Sequence, residues 1–185
     1  MFDHLIKKPL LETLEPVIIQ NWRHHLNFFE KFLSKYLLIA EKDEATLIVF
    51  PLFLHGLKSP KTSKPVKKYI SDFLADLIHT QANVYLRLSI QEAMLKDFAA
   101  SDSHQLRQVF VYFLEAVLPH ISKSYFKSVF FDAYVSLSVD HVYEIQLHFV
   151  NLAPQVRQKL DDLKSIEKLL ASVESLKTDK GGSDI

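Results

Sequence analysis

The chain has 185 residues, enough for one domain with a substantial core. Its 22 basic and 22 acidic residues cancel, so it lacks the basic excess of a nucleic-acid binder, and the absence of Cys excludes disulfides, zinc–thiolate sites and cysteine nucleophiles. Of its three Gly, two stand at 181 and 182; a body with so little Gly argues against hairpins and phosphate-cradling loops and for an all-α fold.

Asp3 and the Lys7–Lys8 pair interrupt the N-terminus before the apolar core of a secretory signal can form. Val17, Ile18, Trp22 and Leu26 then recur at helical spacing, and Phe28, Phe29, Phe32, Leu33, Tyr36, Leu37 and Ile39 predict a second helix. Asp43 is a natural N-cap for a third, whose Leu47, Ile48, Phe50, Leu52 and Phe53 are apolar nearly all round and predict deep burial. Pro51 should kink this helix and Gly56 should close it. The uncharged run around it, Ala45 to Leu57, is too short to span a bilayer. A cytoplasmic protein is expected.

Lys58 to Pro65 reads as a loop, and with Lys67 and Lys68 it forms a basic patch without acid. It is either a solvated loop or an anion or partner contact; no aromatic residues interleave to act as stacking platforms for nucleic acid. From Pro65 a long helix is predicted to Leu88, with the stripe Ile70, Phe73, Leu74, Leu77, Ile78, Val84 and Leu88, bordered by His79. Ser89 and Glu92 have the spacing of a capping box, predicting a new short helix whose Ile90, Met94 and Phe98 share one face.

Ser101-Asp102-Ser103 restarts the chain with N-cap residues, and Leu106, Val109, Phe110, Phe113, Leu114 and Val117 define a helix up to Pro119. A further helix is predicted across Ser122 to Leu152, although Val135 to Val139 alternates with period two. Pro154 opens the last helix, in which Val156, Leu160, Leu163, Ile166, Leu170 and Val173 form a narrow, coiled-coil-like seam. These boundaries divide the chain into a globular part, 1–152, a dimerisation or signalling helix, 153–177, and a disordered tail, 178–185.

Candidate chemistry is sparse. His141, Glu144 and His148 fall on one face of the predicted helix, a spacing that serves metal sites in helical bundles. Such sites need a matching set from a second helix, and His24, His25 and Glu30 supply it poorly, so an exposed polar face is the simpler reading. Ser103-His-Gln-Leu-Arg107 looks like a histidine-kinase phosphoacceptor box but lacks its Pro. No Ser lies in the Gly-flanked elbow of a hydrolase.

Three segments resemble the non-haem globin sensor domains of RsbR-type stressosome proteins and related sporulation sensor-kinase and antagonist domains. Val17-Ile-Ile-Gln-Asn-Trp22-Arg-His-His-Leu26 is similar to the family's first helix. Leu86 to Phe98 is similar to the turn into its short helix and the helix itself, with Arg87 where the family commonly has Gly. Phe131 to Val139 resembles part of its last globin helix. The resemblance implies a globin-like helical array that signals as a dimer through other proteins and is not an enzyme, and in some members the apolar space holds a fatty acid. No haem is expected, because the short segment Ile90 to Ala100 has no His to serve as proximal ligand.

On the helices that would surround that space, the candidate ligand wall is Phe50, Phe53, Phe73, Leu77, Met94, Phe98, Phe110 and Phe113. Ordinary core packing is the alternative for each. Two other classes remain: a metal-dependent helical-bundle enzyme using His141, Glu144 and His148, and a plain helical adaptor recognised through the Lys58–Lys68 patch.

Overall fold

The computed structural model describes residues 50–80 and 84–178, and every regular element in them is helical. The predicted helices before residue 50, the Trp22 segment and the Asp43 cap lie outside the described residues, as does 179–185 of the expected tail. The all-α fold is as expected. Its elements are α1 (Phe50–Lys58), α2 (Lys64–Thr80), α3 (Val84–Ala93), a π-helical turn (Met94–Ala99), α4 (His104–Val117), α5 (Lys123–Val129), α6 (Phe131–Ser136), a 3₁₀ turn (Leu137–Val139), α7 (Tyr143–Gln158) and α8 (Leu163–Thr178). None of these helices is long and apolar enough to cross a membrane.

α4 is the centre. Its Val109, Phe110, Val111, Phe113, Leu114 and Val117 are all fully buried, so it is wrapped by α2, the π turn, α7 and α1. The predicted stripe captured one side of it; Val111 and Gln108 are buried as well, as befits a helix with neighbours all round. Around α4 the aromatic rings interlock edge to face, as in Phe113 on Phe130 at 5.7 Å and Phe126 on Phe131 at 6.2 Å.

The α3–π segment departs from its predicted start. Ser89 lies inside α3 rather than capping it, and Glu92 pairs with Lys96 at 2.6 Å instead of reaching back. Leu86 and Ile90 are both fully buried, so the packing of one continuous face outweighs the local N-cap signal. Leu86, Ile90, Met94 and Phe98 recur every four residues, and all are fully buried. In an α-helix each such step rotates the side chain by roughly 40° away from the last. The wider π turn over Met94–Ala99 takes up this drift, and keeps Met94 and Phe98 facing α4. Val84 and Leu88, predicted to prolong the α2 stripe, are instead about half exposed, at 51% each.

Three further boundaries differ from expectation. Gly56 lies inside α1 and no Gly among the described residues has positive φ, so it is not a left-handed cap. Ser122–Leu152 is not one helix. The chain bends at Phe130 and breaks at Asp140, whose extended backbone and carboxylate, accepting the Val142 N–H at 2.9 Å, set up a fresh start for α7. Pro154 sits within α7, and the last helix opens at Leu163. There the Asp162 carboxylate accepts the Ser165 N–H at 3.0 Å as an N-cap. Proline removes the donor to the Val150 carbonyl, on the exposed side of α7, which limits the cost.

α8 packs through Ser165, Leu169 and Leu176, with Ile166 and Val173 of the predicted seam partly buried against the core. Leu163 and Leu170 of that seam point outward, at 76% and 52% exposure.

Candidate ligand-binding site

The aromatic residues predicted to line a pocket converge in one buried apolar cluster. Phe50 and Phe53 on α1, Leu77 on α2, Met94 and Phe98 on the π turn and Phe110 and Phe113 on α4 are buried in one apolar cluster. Phe73 is half buried and meets Phe53 edge to face at 5.2 Å.

The predicted metal trio is dispersed. His141 precedes α7 and so does not share a helical face with the other two. Glu144 accepts from Gln108 at 2.7 Å and from Lys64 at 3.2 Å, and these bonds, the lysine's first, hold its carboxyl below the usual range. His148 Nδ1 lies 3.1 Å from Glu115. No group of three or more His, Cys, Asp or Glu among the described residues is placed to hold a metal ion.

The basic patch is largely tied down. Lys58 pairs with Asp97 at 2.8 Å, Lys64 with Glu144, and Lys68 with Asp72 at 3.5 Å and Glu115 at 3.6 Å. Lys67 is buried, and loss of water lowers its ammonium pKa.

A different place offers space. A cavity of about 500 Å³ opens between the C-terminal end of α2 (Ile78, His79), the first turns of α3 (Val84, Arg87, Leu88, Gln91) and the α4–α5 connection with the start of α5 (His120, Ile121, Ser122, Tyr125). Local sequence builds each wall. Pro119 follows the end of α4, and the turn after it, closed by the His120 N–H on the Val117 carbonyl at 3.0 Å, brings His120 over His79. The two imidazoles face each other at 5.1 Å and 35°. Ser122 caps α5 by accepting the Tyr125 N–H at 3.2 Å. Lys159, beyond α7, donates to the Ile121 carbonyl at 2.7 Å and fixes this wall from behind.

Among the described residues, the lining contains no carboxylate. Tyr125 donates its hydroxyl to Gln91 Oε1 at 3.0 Å. Burial pushes the phenol pKa up, against the opposing pull of the Arg87 charge. Arg87 is half buried and has no hydrogen bond or ion pair among the described residues, unlike Arg107, which is bidentate to Asp140. Ser122 spends its hydroxyl on the cap and on Ser124, and forms no hydrogen bond to His79 or His120. The site therefore has groups to hold a ligand and no assembled nucleophile–base pair. The sequence singled out His79, and Arg87 only as a departure from a family Gly; no local pattern in it marks Arg87, Gln91, His120 and Tyr125 as one site.

Compared with known proteins, the chain matches no family model, no curated protein and no solved structure.

Proposed function

We propose that the chain is a haem-free, globin-like sensory or regulatory domain, not an enzyme. It binds a small ligand and acts through partner proteins as a dimer, in the cytoplasmic stress or sporulation signalling of a bacterium. The observation that carries this reading is the cavity between α2, α3 and α5, with apolar walls, a few convergent polar groups and a half-buried cation lacking a partner among the described residues. The ligand space is thereby moved from the aromatic core to the flank of the bundle. Leu163 and Leu170, seven residues apart and exposed on α8, support a second copy of the chain as the covering surface. Native mass spectrometry of the purified protein, followed by denaturing extraction, tests both parts. A dimer with a stoichiometric small molecule is expected. A monomer without one, unaltered by a metabolite library in thermal-shift assays, would end the reading.

A further inference from the structure

We propose that the flank cavity is a receptor for a compact organic carboxylate, with Arg87 as its counter-ion; this rests on the cavity being a ligand site. Three observations lead there. First, the described lining residues include one permanent cation, two imidazoles and no carboxylate, so their fixed charge is positive and unbalanced. Every other arginine in the described residues has an acceptor: Arg107 is bidentate to Asp140, and Arg157 donates to the Leu160 carbonyl. A half-buried guanidinium without one has lost part of its hydration and gained nothing in return. Its planar fork matches a carboxylate.

Second, a single fixed charge suits a monoanion. The N-terminus of α5 offers little to a phosphate, because this helix has only 7 residues and Ser122 already takes its Tyr125 N–H.

Third, the site is short. Val84 to Gln91 spans about 10 Å along α3, and the apolar surface is confined to Ile78, Val84, Leu88 and Ile121. That space takes a ring or branched body and not a long acyl chain. The ligand lays its apolar body on Val84, Leu88 and Ile121 and turns its carboxylate to Arg87. The His79–His120 pair forms the opposite rim.

Phenylacetate, its neutral isostere phenylacetamide, phenyl phosphate and palmitate are the probes, read by methyl chemical shifts of Val84, Leu88 and Ile121 and by calorimetric titration of the full chain. Phenylacetate is expected to bind and to shift those methyls, with phenylacetamide and phenyl phosphate at least tenfold weaker. Arg87→Gln should lower phenylacetate affinity by tenfold or more with an unchanged melting temperature, because Arg87 holds no other element in place. Arg87→Lys should fall between, keeping the charge and losing the fork.

Equal binding of phenylacetamide, or tighter binding of phenyl phosphate, would overturn the carboxylate assignment while leaving a ligand site in place. Palmitate binding that ignores Arg87→Gln would do the same. If none of the four probes moves those methyls, the carboxylate assignment falls, and native mass spectrometry decides separately whether any ligand site exists.

Discussion

Tyr134 holds Phe149 twice: its hydroxyl donates to the Phe149 main-chain carbonyl at 2.7 Å, and its ring stacks on the Phe149 ring at 4.7 Å. This fully buried pair fastens α6 to α7 across the break at Asp140. Tyr134→Phe keeps the stack and removes the hydrogen bond, so it should cost about 1 kcal/mol, measured by urea unfolding. Burial pushes the Tyr134 phenol well above the usual tyrosine range. The sign follows directly. A raised folded pKa gives stability that is whole below about pH 10 and is lost as pH climbs through the folded value. Alkaline unfolding should therefore be steeper in the wild-type chain than in Tyr134→Phe.

Arg107 joins the loop before α4 to the break before α7. It donates to both Asp140 carboxylate oxygens and to the carbonyls of Ser101 and Asp102. Arg107→Ala leaves the buried Asp140 carboxylate without its ion-pair partner, with the Val142 N–H still donating to it, and should cost roughly 3–5 kcal/mol. Asp140→Asn still accepts from Val142 and should cost less. Burial raises the Asp140 pKa, but the Arg107 and Val142 hydrogen bonds and the guanidinium charge outweigh it, and the net pKa is lowered. This contribution is present above about pH 4 and fades as pH falls through the lowered folded value. Acid melts of wild type and Asp140→Asn should converge in that range.

Core and cavity separate by mutation. Met94→Ala removes a fully buried side chain and should cost about 2–5 kcal/mol. Its effect on phenylacetate affinity at the flank should be under threefold. A large affinity change in a variant that still folds would return the ligand to the aromatic core.

Dimerisation should depend on the outward leucines of α8. Leu163→Ser with Leu170→Ser exchanges exposed apolar surface for polar, at little cost to the fold. Light scattering after size exclusion should report a dimer for the wild type and a monomer for the double variant. A dimer of undiminished affinity would place the interface elsewhere.

How far the sequence could be read depended on the range of the signal. The α4 stripe from Val109 to Val117 and the face shared by Ile90, Met94 and Phe98 were legible, because burial repeats with the helical period. Boundaries failed where tertiary packing overrode a local cue. Ser89 and Glu92 have capping-box spacing, yet Leu86 and Ile90 need one continuous face. Pro154 suits a helix start, yet α7 carries it in its interior.

The site was less legible still. Phe and Met at helical spacing look the same in a ligand wall and in a packed core, and the burial of Met94 and Phe98 suits both. The flank cavity joins residues from 78 to 125 through the turn after Pro119, which no local pattern encodes. Asp140 was also missed. Its role rests on Arg107, a partner thirty-three positions away.

The wide turn at Met94–Ala99 has a last consequence, in the arithmetic of chain length. It is a stored residue. A chain one residue shorter here, missing the exposed Lys96, can close the same span with ordinary α-helical turns while Ile90 and Ala100 keep their places. Most internal helical segments cannot lose a residue without turning their buried face to water. This one can, because its π turn carries one residue more than an α-helical path between the same ends would need.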